Sequence, residues 1–111
     1  MSHGYYDEKH LPMFGDIAKN APEIGKKFFE WYNAVFAEGA LTEREKALIA
    51  LAVAHTVQCP YCIDAYSTTC LEKGSTLDQM TEAIHVAAAI RGGSSLVHGV
   101  QMREHVKKQS M

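Results

Sequence analysis

Apolar positions recur along this chain at helical spacing and never with the strict alternation of a strand. Leu11, Phe14 and Ile17 fall at three-residue steps, which predicts a short helix over 10–20. Ala21-Pro22 punctuates, and Pro22 suits the first turn of a second helix. That helix, from about Pro22 to Phe36, carries Ile24, Phe28, Trp31 and Val35 at steps of four, three and four, and Phe29, Tyr32 and Phe36 widen the seam. Trp31 and the aromatics around it are read as core, and Gly39 is expected to end the helix. Thr42 with Glu45 three residues on forms a capping box. The stretch behind it, ALIALAVAH, is apolar on nearly every face, which suits a helix buried in a bundle or an oligomer. A further helix opens at Cys59-Pro60 and closes at Lys73-Gly74. Ser75 or Thr76 caps the next, whose inner stripe is Met80, Ile84, Ala87 and Ala88. Arg91-Gly92-Gly93 is expected to break it, and Ser94 or Ser95 to cap a last helix with Leu96, Val97 and Val100. Residues 1–7 read as an arm and 107–111 as a polar tail. The pattern predicts an all-α, six-helix bundle in a single domain over 1–111.

Composition narrows the function. A chain of 111 residues buries a modest core, so oligomerisation is a natural route to stability. A net charge of −2 gives no reason to expect nucleic acid or an anionic membrane as partner. No apolar run reaches the ~18 residues of a membrane span. The opening MSHGYYDEKH lacks the basic-then-apolar order of a signal peptide. Three cysteines, two of them only three residues apart, make a poor disulfide framework for a secreted domain. They suit a reactive pair in the cytoplasm.

The chemistry concentrates in His55-Thr-Val-Gln-Cys59-Pro-Tyr-Cys62-Ile-Asp-Ala-Tyr66. Pro60 lacks a backbone N–H and fits the first helical position, which makes Cys59 the N-cap and puts Cys62 in the first turn. Both sulfurs then sit where unpaired N–H groups and the helix dipole favour a thiolate. Tyr66, four residues beyond Cys62, shares its helix face. With an ordinary pKa near 10 it is a hydrogen-bond donor rather than a base. His55, one turn before Cys59, is a candidate base or proton carrier, or else a satisfied core histidine. Cys70 lies two turns past Cys62 and reads as structural. Glu43 and Glu45 read as helix-start charges, Arg91 as a helix-ending one, and His85 and His98 as surface or packing residues unless they face the thiols across the bundle.

The run LTEREKALIALAVAHTVQCPYCIDAYSTTCLEKG, residues 41–74, resembles the alkylhydroperoxidase D-like core of the carboxymuconolactone decarboxylase family. The T-x-R-E-K entry, the Ala/Leu helix and C-P-Y-C before a Gly-capped helix carry the likeness. It extends loosely over about residues 22–100. WYNAVFAEGALTEREK and HVAAAIRGG-SS-LVHG are similar, more narrowly, to a subgroup of arsenosugar biosynthesis-associated peroxidase-like proteins. That likeness implies an association with organoarsenical synthesis rather than a reaction. The resemblance implies a trimer or hexamer. It also implies a relay in which the second cysteine, Cys62, attacks peroxide and the first, Cys59, closes the disulfide. The relay's histidine falls on Tyr66 and its glutamate on Ala47, so two members differ here.

The leading expectation is a thiol-dependent peroxidase or disulfide oxidoreductase that needs no cofactor and no metal. Its substrate is a peroxide or small disulfide, its reductant an external dithiol, and its site Cys59, Cys62, His55 and Tyr66. The second reading is a Cys/His metal site, His55, Cys59 and Cys62 with His85 or His98, a tetrahedral zinc set. The third is an arsenical carrier without turnover, since soft thiolates suit such a ligand.

Overall fold

The structure is a computed structural model that describes residues 6–110, so residues 1–5 of the expected arm and Met111 lie outside it. Every regular element among the described residues is helical. A 3₁₀ segment spans Glu8–Asn20, followed by α1 (Pro22–Phe36), α2 (Glu43–Thr56), α3 (Pro60–Glu72) and α4 (Leu77–Ser110). Five helical segments therefore stand where six were expected, and the difference lies in α4.

The helix starts follow local chemistry. Pro22 and Pro60 occupy first turns, where no N–H is needed. Thr42 Oγ1 accepts from the Glu45 N–H at 3.0 Å, and the Glu45 carboxylate accepts from the Thr42 N–H at 2.8 Å. That reciprocal pair holds the Glu45 carboxyl below its ordinary pKa. Thr76 and Gln79 repeat the arrangement at the head of α4, with bonds of 2.9 and 3.1 Å. Thr76 is thus the cap, and Ser75 is buried behind it.

Helix α1 ends where expected but is capped differently, and the expected break in α4 is missing. Helix α1 stops at Phe36, three residues before Gly39. Its last carbonyls are met from outside, because Lys46 Nζ donates to Val35 O at 2.7 Å and also to Ala37 O. A lysine from α2 does the work a glycine cap would have done. Gly92-Gly93 does not break α4, which runs 34 residues, about 51 Å. Each glycine costs about 1 kcal/mol relative to alanine in a helix. Neither removes a hydrogen-bond donor as proline would, so Ser94 and Ser95 sit inside the helix rather than capping one.

The core is small. Ala47 and Leu51 of α2, Cys70 of α3 and Met80 of α4 form its buried cluster, with Leu48 and Tyr66 packed against it. Helix α2 lies between α3 and α4, and α1 packs mainly on the 3₁₀ segment. Gly25 permits that last contact, since a Cβ there would stand 2.7 Å from Ala18 Cα. The α1 seam expected in the core faces outward: Ile24 is 73% and Trp31 63% exposed. The surplus apolar faces of α2 are open too, at Ile49, Val53 and Val57. Beyond Gly92, α4 leaves the body with Leu96, Val97, Val100 and Val106 exposed. No helix among the described residues is long and apolar enough to cross a membrane.

Candidate active site

The site is built at the junction of α2 and α3. Helix α2 ends in a Schellman turn. The Cys59 N–H returns to Ala54 O at 3.0 Å, and the Gln58 N–H to His55 O at 3.3 Å. Gln58 takes the left-handed position, with φ 56°, which a side chain adopts at a cost. Arg91 reaches across from α4 and donates to Thr56 O. It caps the end of α2 rather than of its own helix.

The turn delivers Cys59 as the N-cap of α3, as the spacing predicts. The Cys62 N–H donates to Cys59 Sγ at 3.2 Å. The two sulfurs are joined in a disulfide, with Cα atoms 5.3 Å apart, inside the usual range.

In front of the disulfide lies a cleft of about 320 Å³. Cys59, Tyr61, Cys62, Ala65 and Tyr66 form its α3 wall, Tyr32 its α1 wall, and His10, Leu11 and Phe14 its 3₁₀ wall. A second, apolar groove of about 400 Å³ runs along α2 through Ile49, Val53 and Val57, and Cys62 and Tyr66 also line it. Cys62 is therefore flanked by space on two sides and Cys59 on one. At the cleft's rim the Tyr6 hydroxyl donates to the Asp64 carboxylate. Its ring meets Tyr61 edge-on, with centroids 4.6 Å apart. The Asp64 bond, then partial burial, pushes the Tyr6 pKa up to about 12.

Cys59, Cys62 and Tyr66 thus share one cleft, and His55 does not line it. His55 Nδ1–H donates to Leu51 O at 2.8 Å, so Nε2 is the ring nitrogen not committed to that bond. Among the described residues no hydrogen bond joins that ring to either sulfur. Cys70 is wholly buried, and burial raises its thiol pKa. Glu43 pairs with Lys73 at 3.2 Å. His85 and His98 are exposed on α4, away from the cleft. Among the described residues no three His, Cys, Asp or Glu side chains are grouped to hold a metal ion, so the zinc set gains no support.

The residue that sequence reasoning missed is Tyr32. Its hydroxyl is hydrogen-bonded to that of Tyr66. Burial first, then this bond, raises the Tyr66 pKa well above the ordinary phenol value. Phe36 stacks on Tyr66 with centroids 5.1 Å apart. Tyr32 looked like one more aromatic of the α1 seam. The available signal was its hydroxyl, which the phenylalanines beside it lack.

The model of the carboxymuconolactone decarboxylase family matches residues 22–104, from the first turn of α1 to the far part of α4. The chain belongs to this family. The protein described as "Uncharacterized protein 4 in cox locus" of Paracoccus denitrificans is 42% identical over 84 residues, 76% of each chain. A crystal structure from Methanobacterium thermoautotrophicum superposes with a TM-score of 0.74 at 37% identity, covering 78% of this chain and 97% of that one. The apo form of a carboxymuconolactone decarboxylase family protein from Legionella pneumophila gives a TM-score of 0.67 at 30% identity, covering 83% and 87%. The matched span includes α3, with Cys59 and Cys62 at its start. Ala47, at the relay glutamate position, is buried with 1% exposure and leaves only a methyl group there.

Proposed function

We propose that this protein is a thiol-dependent peroxidase or disulfide oxidoreductase working through Cys59 and Cys62. The observation that carries the reading is the Cys59–Cys62 disulfide at the N-terminus of α3, facing an aromatic cleft. Reduced, Cys62 attacks the O–O bond as a thiolate. Sulfur is oxidised to the sulfenic acid, and the peroxide is reduced to an alcohol or water. Cys59 is the resolving thiol. Its sulfur already receives the Cys62 N–H, a donor that favours a thiolate. Attack of Cys59 on the sulfenic acid expels water and restores the disulfide, which an external dithiol reduces by exchange. His55, whose Nδ1 is held by Leu51 O, is the proposed proton acceptor, four residues before Cys59 in the chain. The two-sided access of Cys62 favours it as the attacking sulfur.

The decisive experiment is stopped-flow mixing of the reduced protein with peroxide, followed by mass spectrometry of the thiols. One equivalent of peroxide should close Cys59–Cys62 and leave Cys70 free. Oxidation that spares the pair, or a tightly held metal on the pair, would sink the reading.

The functional form we propose is a homo-oligomer, a trimer or hexamer. A compact chain of 12.3 kDa should expose about 6,100 Å², whereas this one exposes 8724 Å². Its radius of gyration is 18.9 Å, against about 13 Å for a compact chain of this length. The surplus exceeds the ~800 Å² that each partner gives to a standard interface. It includes the outward seam of α1 and the far half of α4. Light scattering that finds a 12.3 kDa particle at micromolar concentration would contradict this.

A further inference from the structure

The hydroxyls of Tyr32 and Tyr66 form a hydrogen-bonded pair drawn from α1 and α3. Both residues line the disulfide cleft. Both also line a separate cleft of about 390 Å³ whose other walls include Asn33, Glu43, Thr69 and Lys73. The pair therefore stands between an aromatic space holding the sulfurs and a polar space holding charged groups. Neither ring is loose. Phe36 stacks on Tyr66, while Phe14 and Phe28 lie 6.0 and 5.5 Å from Tyr32. Ala47 forms part of the polar cleft beside them, and its small side chain leaves that space open.

We infer that Tyr66 is the general acid for the departing oxygen of the peroxide, and that Tyr32 is a positioning residue that holds Tyr66 and returns its proton. The inference rests on the peroxidase reading above. The Cys62 thiolate bonds to the terminal peroxide oxygen, and the O–O bond breaks with its electron pair on the other oxygen. Sulfur is oxidised and the peroxide reduced. Tyr66 gives that oxygen its proton, so the product leaves as an alcohol. Tyr32 passes its own proton to Tyr66 and takes another from water in the polar cleft. The proton shed by the Cys62 thiol balances the one consumed. With Tyr32 as donor in the pair, the Tyr66 proton is free for the disulfide cleft. Burial, the first cause of its raised pKa, keeps Tyr66 protonated at neutral pH.

The test compares two oxidants that differ in leaving group. The alkoxide leaving tert-butyl hydroperoxide needs a proton, and the carboxylate leaving peracetic acid does not. Reduced wild-type, Tyr66→Phe and Tyr32→Phe proteins are mixed with each in a stopped-flow instrument. Tyr66→Phe should slow the hydroperoxide reaction about 100-fold, the low end for general acid catalysis, and change the peracid reaction less than about 3-fold. Tyr32→Phe should slow the hydroperoxide reaction about 10-fold and again spare the peracid. A merely structural role predicts equal losses with both oxidants, which would overturn the inference, as would full hydroperoxide rates in both variants. If Tyr66→Phe does not fold, Tyr32→Phe carries the same selectivity test. Wild-type protein inert to the hydroperoxide would sink the peroxidase reading and this inference together. Wild-type reaction with no selective loss in the variants would sink the inference alone.

Discussion

Helix α3 is bracketed by the same turn twice, and the two copies differ in what holds them. After α3, the Ser75 N–H returns to Cys70 O at 2.9 Å and the Gly74 N–H to Leu71 O at 3.1 Å. Before α3, Cys59 and Gln58 make the equivalent bonds to Ala54 and His55. The left-handed position is glycine in the later turn, Gly74 with φ 88°, and glutamine in the earlier one. Glycine takes that conformation freely, and a side chain there costs about 1–2 kcal/mol. The strained copy is the one that presents the disulfide. Its helix end is also tied from outside by a backbone bond, from Arg91 to Thr56 O, where the later turn has the Glu43–Lys73 ion pair. Strain of this kind persists only where neighbouring structure over-determines it, and it gathers at working sites. The strained turn thus stands at the chemistry proposed for the first turn of α3, and the relaxed one at its far end.

The largest expected effect tests that division. Cys62→Ser should abolish peroxide consumption, because the attacking sulfur is gone and Cys59, the resolving thiol, is flanked by space on one side only. Cys70→Ala, at the other end of the same helix, should leave the rate within about two-fold. It should cost about 1–2 kcal/mol of stability through the small cavity left in the core. A rate loss in Cys70→Ala comparable to that of Cys62→Ser would erase the distinction between the two ends.

The next effect is thermodynamic. Gly74→Ala should cost about 1–2 kcal/mol in urea unfolding, since alanine must adopt the left-handed conformation. Gln58→Gly should gain about 0.5–1 kcal/mol, because strain relief outweighs the extra freedom of glycine in the unfolded chain. If Gln58→Gly destabilises as much as Gly74→Ala, the earlier turn is not strained, and the contrast reduces to one of composition.

The turn pair also shows what a reader of the sequence can and cannot see. Gly74, Pro60, the Thr42–Glu45 box and the spacing of Cys59 and Cys62 act within a few residues, so they were legible. The cap of α1 was not, because Lys46 satisfies the carbonyls there from nine and eleven residues away. Gly92-Gly93 misled because a glycine weakens a helix without stopping it when every N–H can still bond. The Ile24 and Trp31 seam had the right period, but period alone says nothing about whether the covering surface belongs to the same chain. Tyr32 escaped notice because its partner lies 34 residues away, on another helix. The relay positions Ala47 and Tyr66 marked a gap in the sequence, and only three dimensions bring Tyr32 beside them.

The smallest effect concerns what clasps each end of α3. The far end has the Glu43–Lys73 ion pair, and the near end has Tyr6 on Asp64. The Asp64 carboxylate accepts the Tyr6 proton, so ionising the phenol breaks the bond and sets two negative charges together. In the unfolded chain the phenol titrates near 10, and in the folded protein at about 12. A pKa raised by folding means that the contact stabilises the fold fully below the lower value and is lost as pH rises through the higher one. Near neutrality the clasp is therefore complete. Spectrophotometric titration of phenolate, taken as wild type minus Tyr6→Phe, should show a midpoint near 12 in the folded protein and near 10 in urea. The same difference measured in Asp64→Asn should fall back toward 10, because an amide accepts the hydrogen bond without a charge to oppose the phenolate. A folded-state midpoint near 10 in the wild type would mean that the N-terminal segment does not hold this end of α3, and that Arg91 and the Schellman bonds position the disulfide without it.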